Sequence, residues 1–362
     1  MGQSGEKAYL APMIRPTTGK ELPPFPLSLE TRRLRLRPWL PTDAEALFRL
    51  ASCPEVGPPA GWAPHGSPAE SRDVIRSLFS APGIYALTLK GSGRLAGCMG
   101  LTATDDRPGI APAAGEAELS YWLGAPFWGQ GLATEAARRL VDWALGEGQR
   151  TALWCGCYEN NGRSRRVQQK CGFRYHHAVA GNPSLPGGRP TELLSLLTRD
   201  DHQARHALHL RPATAADAGT LRRIFLEAVR SVCRRDYGPE EVADWAACGE
   251  PMTHWEGLLA TTAVALAVDG RGEAAGFAAL RADGYLHSLF TGRDRQGDGA
   301  GSLLLRHAEE QARAAGVREI RSEVSLTAHP FFERRGYVVV QRQKRRARQL
   351  WLTNFRMAKR LD

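Results

Sequence analysis

Each half of this 362-residue chain carries the same chemical object: a glycine-rich turn that follows an apolar stretch and leads directly into a helical pattern. The first copy runs from Tyr121-Trp122-Leu123 to Phe127-Trp128-Gly129-Gln130-Gly131-Leu132-Ala133-Thr134. The second runs from Tyr285-Leu286-His287-Ser288-Leu289-Phe290 to Gln296-Gly297-Asp298-Gly299-Ala300-Gly301-Ser302. Glycine lets the backbone approach an anion with no Cβ in the way, and the first N–H groups of a following helix have no carbonyl partner of their own. Together with the positive end of the helix dipole they make a phosphate cradle. Two such turns predict a chain that binds a phosphorylated cofactor twice.

The repeat extends well beyond the cradles. Leu36-Arg37-Pro38, four residues, Asp43-Ala44 recurs as Leu210-Arg211-Pro212, four residues, Asp217-Ala218, and each copy runs into a helix-like segment. A hairpin pattern follows, Ala86 to Leu89 turning through Gly91-Ser92-Gly93 into Leu95 to Met99, echoed by Val264 to Val268 turning through Asp269-Gly270 into Ala275 to Ala278. After each cradle, apolar residues four apart (Leu132, Ala136, Leu140, Ala144; then Leu304, Ala308, Ala312) aim one helical stripe at a core. Gly146 and Gly316 stand where those helices should end.

The length suits two domains, since a unit of about 160 residues can bury about 70% of its unfolded surface. The expected division is a mobile arm over 1–26, a first domain over 27–203, a linker over 204–206 and a second domain over 207–362. The polar join from Thr198 to His206 cannot form a core strand. The chain has no apolar run of about 18 residues to span a membrane and no secretory pattern. Its seven cysteines sit singly or in strand-like segments, which points to a reducing cytoplasm and packed thiols, with no metal site assigned. The net charge of +10 fits a nucleic-acid binder, a protein that handles polyanionic cofactors or an arginine-rich proteome. Its densest basic cluster, Arg342 to Arg348, lies between Val338-Val339-Val340 and Leu350-Trp351-Leu352 and reads as a solvated hairpin tip; no recognition helix, zinc finger or aromatic stacking pattern accompanies it, so nucleic acid is not an expected partner.

Neither cradle completes G-x-G-x-x-G, because the third glycine is Thr134 in one and Ser302 in the other, and no Walker-type G-K-[ST] occurs. Both of those folds also place the loop after the first strand, whereas here three strand-like segments come first. A mixed sheet whose fourth strand feeds the cradle fits the order of parts.

On these residues the chain resembles the GNAT superfamily of acyl-CoA-dependent N-acyltransferases. The superfamily loop, Gln/Arg-x-x-Gly-x-Gly/Ala, is matched in full by Gln296 to Gly301. The first half carries the variant Phe-Trp-Gly-x-Gly-x-Ala-Thr-Glu-Ala over Phe127 to Ala136, followed by Asn161-Gly162-Arg163-Ser164 and Lys170-Cys171-Gly172-Phe173, and is similar to the branch of ribosomal-protein alanine N-acetyltransferases. It has Pro126 where the general loop has Gln or Arg. The second half, with Thr327 to Tyr337 and Leu352-Thr353-Asn354-Phe355-Arg356-Met357, resembles small single-domain bacterial acetyltransferases, but Phe332 stands where most of the superfamily has a Tyr that protonates the leaving thiolate.

The resemblance implies an α/β fold of the α+β kind, with two tandem domains, each a mixed, mostly antiparallel sheet of six or seven strands flanked by helices. It implies acetyl-CoA or another acyl-CoA as donor, no metal, and direct transfer to a primary amine: an aminoglycoside-like molecule, a polyamine, an amino acid or a protein N-terminus. The cofactor would be held by Leu123, Gly129, Gln130, Gly131, Leu132, Ala133, Thr134 and Asn161 in the first half, and by Leu289, Gln296, Gly297, Asp298, Gly299, Ala300, Gly301 and Ser302 in the second. A monomer or a homodimer is expected. The alternative is a sensor or scaffold that binds acyl-CoA without turning it over.

An acyl thioester is already activated, so the protein must hold it beside an amine, make that amine neutral and let the thiolate leave. A lysine-like ammonium is only about 0.1% neutral at pH 7, which makes a carboxylate or His base useful. Glu118, at the start of the strand before the first cradle, is the candidate base, with a surface role as the alternative and Glu116 as the nearby substitute. Ser164 is the candidate donor to the thiolate, an N-cap of the last helix or both, while Asn161 is expected to contact the cofactor's arm or to cap the same turn. In the second half Glu323 is the candidate, ranked ahead of His287, and points away from the row Ile320, Ser322, Val324, Leu326. The acceptor pocket is expected from the early helices, with Trp39, Trp62, His65, Trp245 and Trp255 either lining it or packing.

Overall fold

The structure, a computed structural model, describes residues 23–105, 107–181 and 190–361. The chain divides into two compact units, residues 1–202 and 203–362. In the first, β1 (Leu29–Glu30) and β2 (Leu34–Arg37) lead to α1 (Ala44–Ala51) and α2 (Pro68–Val74). Then come β3 (Ile84–Leu89), β4 (Leu95–Thr102), β5 (Glu116–Leu123), α3 (Leu132–Leu145), β6 (Ala152–Tyr158), α4 (Gly162–Cys171), β7 (Arg174–Val179) and β8 (Glu192–Thr198). The helix α5 (Arg199–His206) contains the division between units. The second unit repeats the plan: β9 (His209–Pro212), α6 (Ala218–Ser231), α7 (Pro239–Cys248), α8 (Met252–Thr261), β10 (Ala263–Val268), β11 (Ala274–Leu280), β12 (Tyr285–Thr291) and α9 (Ala300–Ala314). It ends with β13 (Glu319–Ser325), α10 (His329–Glu333), β14 (Val338–Arg346) and β15 (Trp351–Arg360).

The first sheet has eight strands in the order β1-β2-β3-β4-β5-β6-β8-β7, and the second has seven in the order β14-β15-β13-β12-β11-β10-β9. The eighth strand, beyond the expected range, is the two-residue β1. In each sheet a single neighbouring pair is parallel, β5 with β6 and β12 with β13. This is the mixed, mostly antiparallel plan that the resemblance implied. β4 is buried along its whole length, as a central strand covered on both faces should be.

The apolar stripes fall where their spacing puts them. Leu132, Ala136, Leu140 and Ala144 are all buried in the first core, and Leu304, Ala308 and Ala312 are buried in the second. The repeated Leu-Arg-Pro-x4-Asp element is a fork in both units. Arg37 Nη1 and Nη2 donate to the two carboxylate oxygens of Asp43 at 2.7 and 2.7 Å, and Arg211 does the same to Asp217 at 2.8 and 2.7 Å. The same carboxylates accept the N–H of Leu40 at 2.9 Å and of Thr214 at 2.8 Å, which fixes the turn between the first strand and the first helix.

Three expectations need correction. Residues 1–22 of the expected arm lie outside the described residues, but the last part of it is packed: Phe25 stacks against Trp143 with ring centroids 5.4 Å apart, and the Tyr85 hydroxyl donates to the Pro26 carbonyl at 2.8 Å. Residues 204–206, expected as a linker, are the last turn of α5. The basic cluster is more than a hairpin tip: Arg348 lies in the exposed turn between β14 and β15, but Arg342 to Arg346 run back along β14, the edge strand, whose pairing with β15 ends at Arg346 opposite Trp351, and charges along an exposed edge discourage pairing with another sheet.

Hydrogen bonding to Arg211 holds the Asp217 carboxyl well below the usual carboxylate range. A depressed carboxyl contributes stability that is present above its unfolded value and is lost as pH falls through the folded one. Asp217→Asn is expected to cost about 1–2 kcal/mol at pH 7, allowing for the partly solvated Arg211, with the difference from wild type shrinking below about pH 4. Urea melts at pH 7 and pH 2 check it; a penalty of equal size at both would refute the ionic account.

Candidate active site

The parallel pair β5 and β6 is joined only through Glu116 with Ala152, Ala117 with Leu153 and Glu118 with Trp154. Beyond Glu118 the two strands part, and the opening leads to the first cradle. The second sheet does the same after Tyr285 with Arg321 and Leu286 with Ser322. At the foot of each opening stand two left-handed glycines, Gly129 and Gly131 at φ 73 and 74°, and Gly297 and Gly299 at φ 85 and 95°. These are backbone angles that residues with a Cβ adopt only under strain. Gly131 and Gly299 are the N-caps of α3 and α9. In α3 the i→i−4 ladder begins with the Glu135 N–H on the Gly131 carbonyl, so the N–H groups of Leu132, Ala133 and Thr134 precede it.

The side chains around the loops serve mostly to shape them. The Trp128 indole N–H donates to the Leu123 carbonyl at 2.8 Å, the Gln130 amide donates to the Pro126 carbonyl at 2.8 Å, and Arg33 donates to the Gln130 carbonyl at 2.9 Å. In the second unit the Gln296 amide donates to the Thr291 carbonyl at 2.9 Å and its hydroxyl at 2.6 Å, so this side chain pins the end of β12. Asp298 turns inward. Its carboxylate is buried against Arg205 at 2.8 Å and Arg295 at 3.5 Å, which neutralises a charge that would otherwise oppose an anion in the cradle. Leu289 is half-buried on β12, and Gly301 lies against Phe331. The Ser302 hydroxyl accepts from Arg335, which also lies over the Phe331 ring.

Asn161, not Ser164, caps α4. Its side-chain oxygen accepts the Ser164 N–H at 3.0 Å, while its amide donates to Pro59 in the loop after α1 at 3.1 Å. Ser164 Oγ instead lies 3.0 Å from the Tyr121 hydroxyl, which also donates to the Ser164 carbonyl at 3.1 Å. Burial holds the Tyr121 phenol well above its usual range. Arg138 and Arg165 donate to the backbone carbonyls of Lys170 and Glu159.

Glu118 is buried, not a surface residue. Arg107 donates to its Oε2 from Nε at 2.7 Å and reaches Glu192 with Nη1 and Nη2 at 3.1 and 2.5 Å. Burial pushes the Glu118 carboxyl above its ordinary value, with Arg107 opposing and Glu192 adding to the rise. Glu116 accepts the Trp154 indole N–H at 2.6 Å. Beside Glu118, on the sheet face that carries α1 and α2, a cavity of about 30 Å³ is lined by Trp62, His65, Phe79, Thr102, Ser120 and Trp122 among others. His65 Nδ1 lies 2.7 Å from the Ser71 hydroxyl, and burial holds its ring below the ordinary value and therefore neutral at pH 7. Of the other expected pocket residues, Trp39 and Trp255 are buried in their cores and Trp245 packs against one of them.

In the second unit Glu323 is half-buried, 3.4 Å from Arg345, and sits one residue beyond the Leu286–Ser322 pair, level with His287. Phe332 is buried against Tyr337. A wide cleft of about 560 Å³ along α6 is lined by Arg222, Arg223, Arg230, Arg234 and Arg293 with Glu227. Sequence reasoning missed Arg107, Glu192, Arg205, Arg295 and Arg335, because an arginine in a loop or on a distant strand has no local pattern.

Residues 33–174 match a family model described as an acetyltransferase (GNAT) domain, and residues 233–361 match a second model with the same description. This chain belongs to the GNAT acetyltransferase family. It is an enzyme with two GNAT domains in tandem, and members of the family use acetyl-CoA as donor. An uncharacterized N-acetyltransferase, YafP, of Escherichia coli (strain K12) is 30% identical over 150 residues, which are 41% of this chain and 94% of that protein. An uncharacterized N-acetyltransferase, p20, of Bacillus licheniformis is 31% identical over 123 residues, 33% of this chain and 66% of that protein. A crystal structure of a GCN5-related N-acetyltransferase from Rhodopseudomonas palustris is 29% identical, with a TM-score of 0.41, over 42% of this chain and 95% of that one. Among the described residues of this GNAT protein, no helix is long and apolar enough to cross a membrane.

The Asn161 cap links α4 to the loop after α1. Asn161→Ala is expected to cost about 1 kcal/mol, whereas Asn161→Asp keeps the acceptor and retains most of that stability. Thermal melts of the two variants decide it, and equal losses would show that the amide donor to Pro59 matters more than the cap.

Proposed function

We propose that the first unit is the main catalyst and transfers an acetyl group directly from acetyl-CoA to a primary amine. The observation that carries this reading is the position of Glu118 at the last residue of β5 that pairs with β6, with the cavity on its own face of the sheet and the Tyr121–Ser164 hydroxyl pair on the other. The pyrophosphate lies on the N–H groups of Leu132, Ala133 and Thr134, and the extended arm of the cofactor lies along the unpaired stretch of β5 toward Leu123. The ammonium gives one proton to Glu118. The freed lone pair attacks the thioester carbonyl, the carbon–sulfur bond breaks, and the sulfur leaves with its electron pair. The Ser164 hydroxyl, backed by Tyr121, supplies the thiol proton and recovers one from the amide nitrogen, so one proton in all reaches solvent through Glu118.

The acceptor is a small amine or a protein N-terminus that enters from the side of α1 and α2, where Trp62 and Trp122 give the cavity an apolar wall. Seven free cysteines, five of them buried, suit a reducing compartment. The second unit binds acyl-CoA with less or no turnover. The apolar Phe332 ring favours this, since it has no proton to give.

Thiol release by the full chain with a panel of primary amines tests the assignment. Gly131→Trp, which fills the first cradle, is expected to raise the KM for acetyl-CoA at least tenfold or to abolish turnover, while Gly299→Trp leaves most of it, both variants being checked for folding by circular dichroism. Turnover that survives the first change and is lost with the second would reverse the roles of the units. Binding of acetyl-CoA without release for any amine would favour a sensor.

A further inference from the structure

Three charges share one buried place in the first unit: the Arg107 guanidinium and the carboxylates of Glu118 and Glu192, with side chains 8, 8 and 15% exposed. They come from the loop after β4, from β5 and from the start of β8. All lie on the same face of the sheet, because Glu118 is paired with Trp154 and Glu192 with Tyr158, and Trp154, Gly156 and Tyr158 alternate to one side of β6. Between them stands Gly156, where a Cβ would come within 2.3 Å of Glu192 Oε1 and 2.7 Å of Arg107 Nη2, so the strand is bare of a side chain where the guanidinium lies.

The bonds are unequal. Arg107 spends both terminal nitrogens on the two oxygens of Glu192, a fork-to-fork pair that is electrically neutral by itself. Glu118 receives only the lateral Nε, on Oε2. Among the described residues its carboxylate takes no other hydrogen bond, which leaves Oε1 for a proton. Glu118 is therefore the surplus charge of the trio. Removing that charge by protonation leaves a closed, neutral Arg–Glu pair behind, whereas protonating Glu192 would break the stronger fork.

We propose that Arg107 and Glu192 form a positioning pair that selects Glu118 as the base and sets the pH at which it works. The inference rests on the reading of the first unit as the catalyst. The proton moves from the ammonium nitrogen of the acceptor to Glu118 Oε1: an N–H bond breaks, an O–H bond forms, and the nitrogen keeps the electron pair. The cavity gives the route. Thr102 is paired with Glu118 across β4 and β5, Ser120 is two residues further along the same face, both line the cavity, and about 30 Å³ is enough for a relaying water.

Other titratable groups around Glu118 are Glu116 and Tyr121 on its own strand, Cys155 on β6, His65 across the cavity, and His176 and His177 edge-on to Trp154. Burial holds the Cys155 thiol and the Tyr121 phenol far above their usual ranges, so neither becomes charged in the neutral region. Arg107 remains charged, since the two carboxylates more than offset its burial.

The two partners pull in opposite directions, and this distinguishes tuning from mere support. Without Arg107 the Glu118 carboxylate loses its cation, so its titration moves up; without the charge of Glu192 it loses a repulsion, so its titration moves down. Thiol release against pH, measured on the full chain with the amine that reacts fastest, reads this as the acid limb of kcat/KM. Carboxylate infrared difference spectra against Glu118→Gln read the same titration without turnover. Arg107→Met is expected to raise the limb and Glu192→Gln to lower it, each by about one pH unit, a tenfold change in rate at a fixed pH below the limb, while Arg107→Lys, which keeps a cation beside Glu118, stays closer to wild type.

If Arg107→Met does not fold, Glu192→Gln decides alone. A limb and a spectrum that stay put in Glu192→Gln, or that move the same way in all variants, would overturn the pair while leaving Glu118 as base. Normal turnover by Glu118→Gln would overturn the reading of Glu118 itself, and the pair with it.

Discussion

Both units depend on a parallel strand pair that stops pairing early. A sheet that parts leaves N–H and C=O groups without ladder partners, and an unpaired backbone group away from water is costly. In the first unit part of this demand is met from within, by the Trp128 indole on the Leu123 carbonyl. In the second, Gln296 does the same for Thr291. What stays open is a strand edge of a few residues ending at a ring of helix N–H groups. An extended chain bearing amides and a pyrophosphate completes that edge and fills that ring at once, and this is the shape of acetyl-CoA. The left-handed glycines matter because they turn the chain from strand to helix within a few residues, which keeps the edge and the ring in register.

The place where the strands part also decides where proton chemistry is possible. Up to Glu118 the ladder is closed and the carboxylate is sealed from bulk water; beyond it there is room for a ligand. A carboxylate at such a boundary is desolvated, and so more basic than one on the surface, while a cation beside it keeps it from being neutral throughout the accessible pH range. Arg107 is that cation, and Glu192 limits how strongly it acts. The hydroxyl pair Tyr121–Ser164 stands on the opposite face of β5, so in the proposed reaction proton uptake from the amine and proton delivery to the sulfur are separated by the thickness of one strand.

Much of this was legible in the sequence, for reasons that differ from residue to residue. The cradles were legible because a left-handed turn before a helix demands glycine, and the helices after them because one buried face repeats every four residues. Asp43 and Asp217 were legible as a repeat but not as forks with Arg37 and Arg211, since a spacing alone does not tell a cap from an ion pair. Ser164 was read as donor or cap, and Asn161 as a cofactor contact or a cap of the same turn; the cap is Asn161, three residues before Ser164, whose side chain accepts the Ser164 N–H. Asp298 sits inside the motif yet points away from the cradle, because Arg205 and Arg295 neutralise it from below. Arg107 and Glu192 had no signal at all. They meet Glu118 only through a loop and a strand far along the chain, and only tertiary structure brings them together.

The comparison between the two units separates what the backbone requires from what the chemistry requires. The Arg–Asp forks, the paired glycines and the parted parallel strands are kept in both, since each solves a problem of chain geometry that any member of the fold must solve. The reactive side chains differ. Where the first unit has a sealed carboxylate with a buried cation, the second has Glu323 beside Arg345, a guanidinium largely in water and so a weak, screened partner. Where the first has two hydroxyls in contact, the second has the apolar ring of Phe332 packed on Tyr337. A scaffold with two such junctions offers a helix N-terminus and an open strand edge in each unit, while the side chains around them are set separately in each, because the backbone does not specify them.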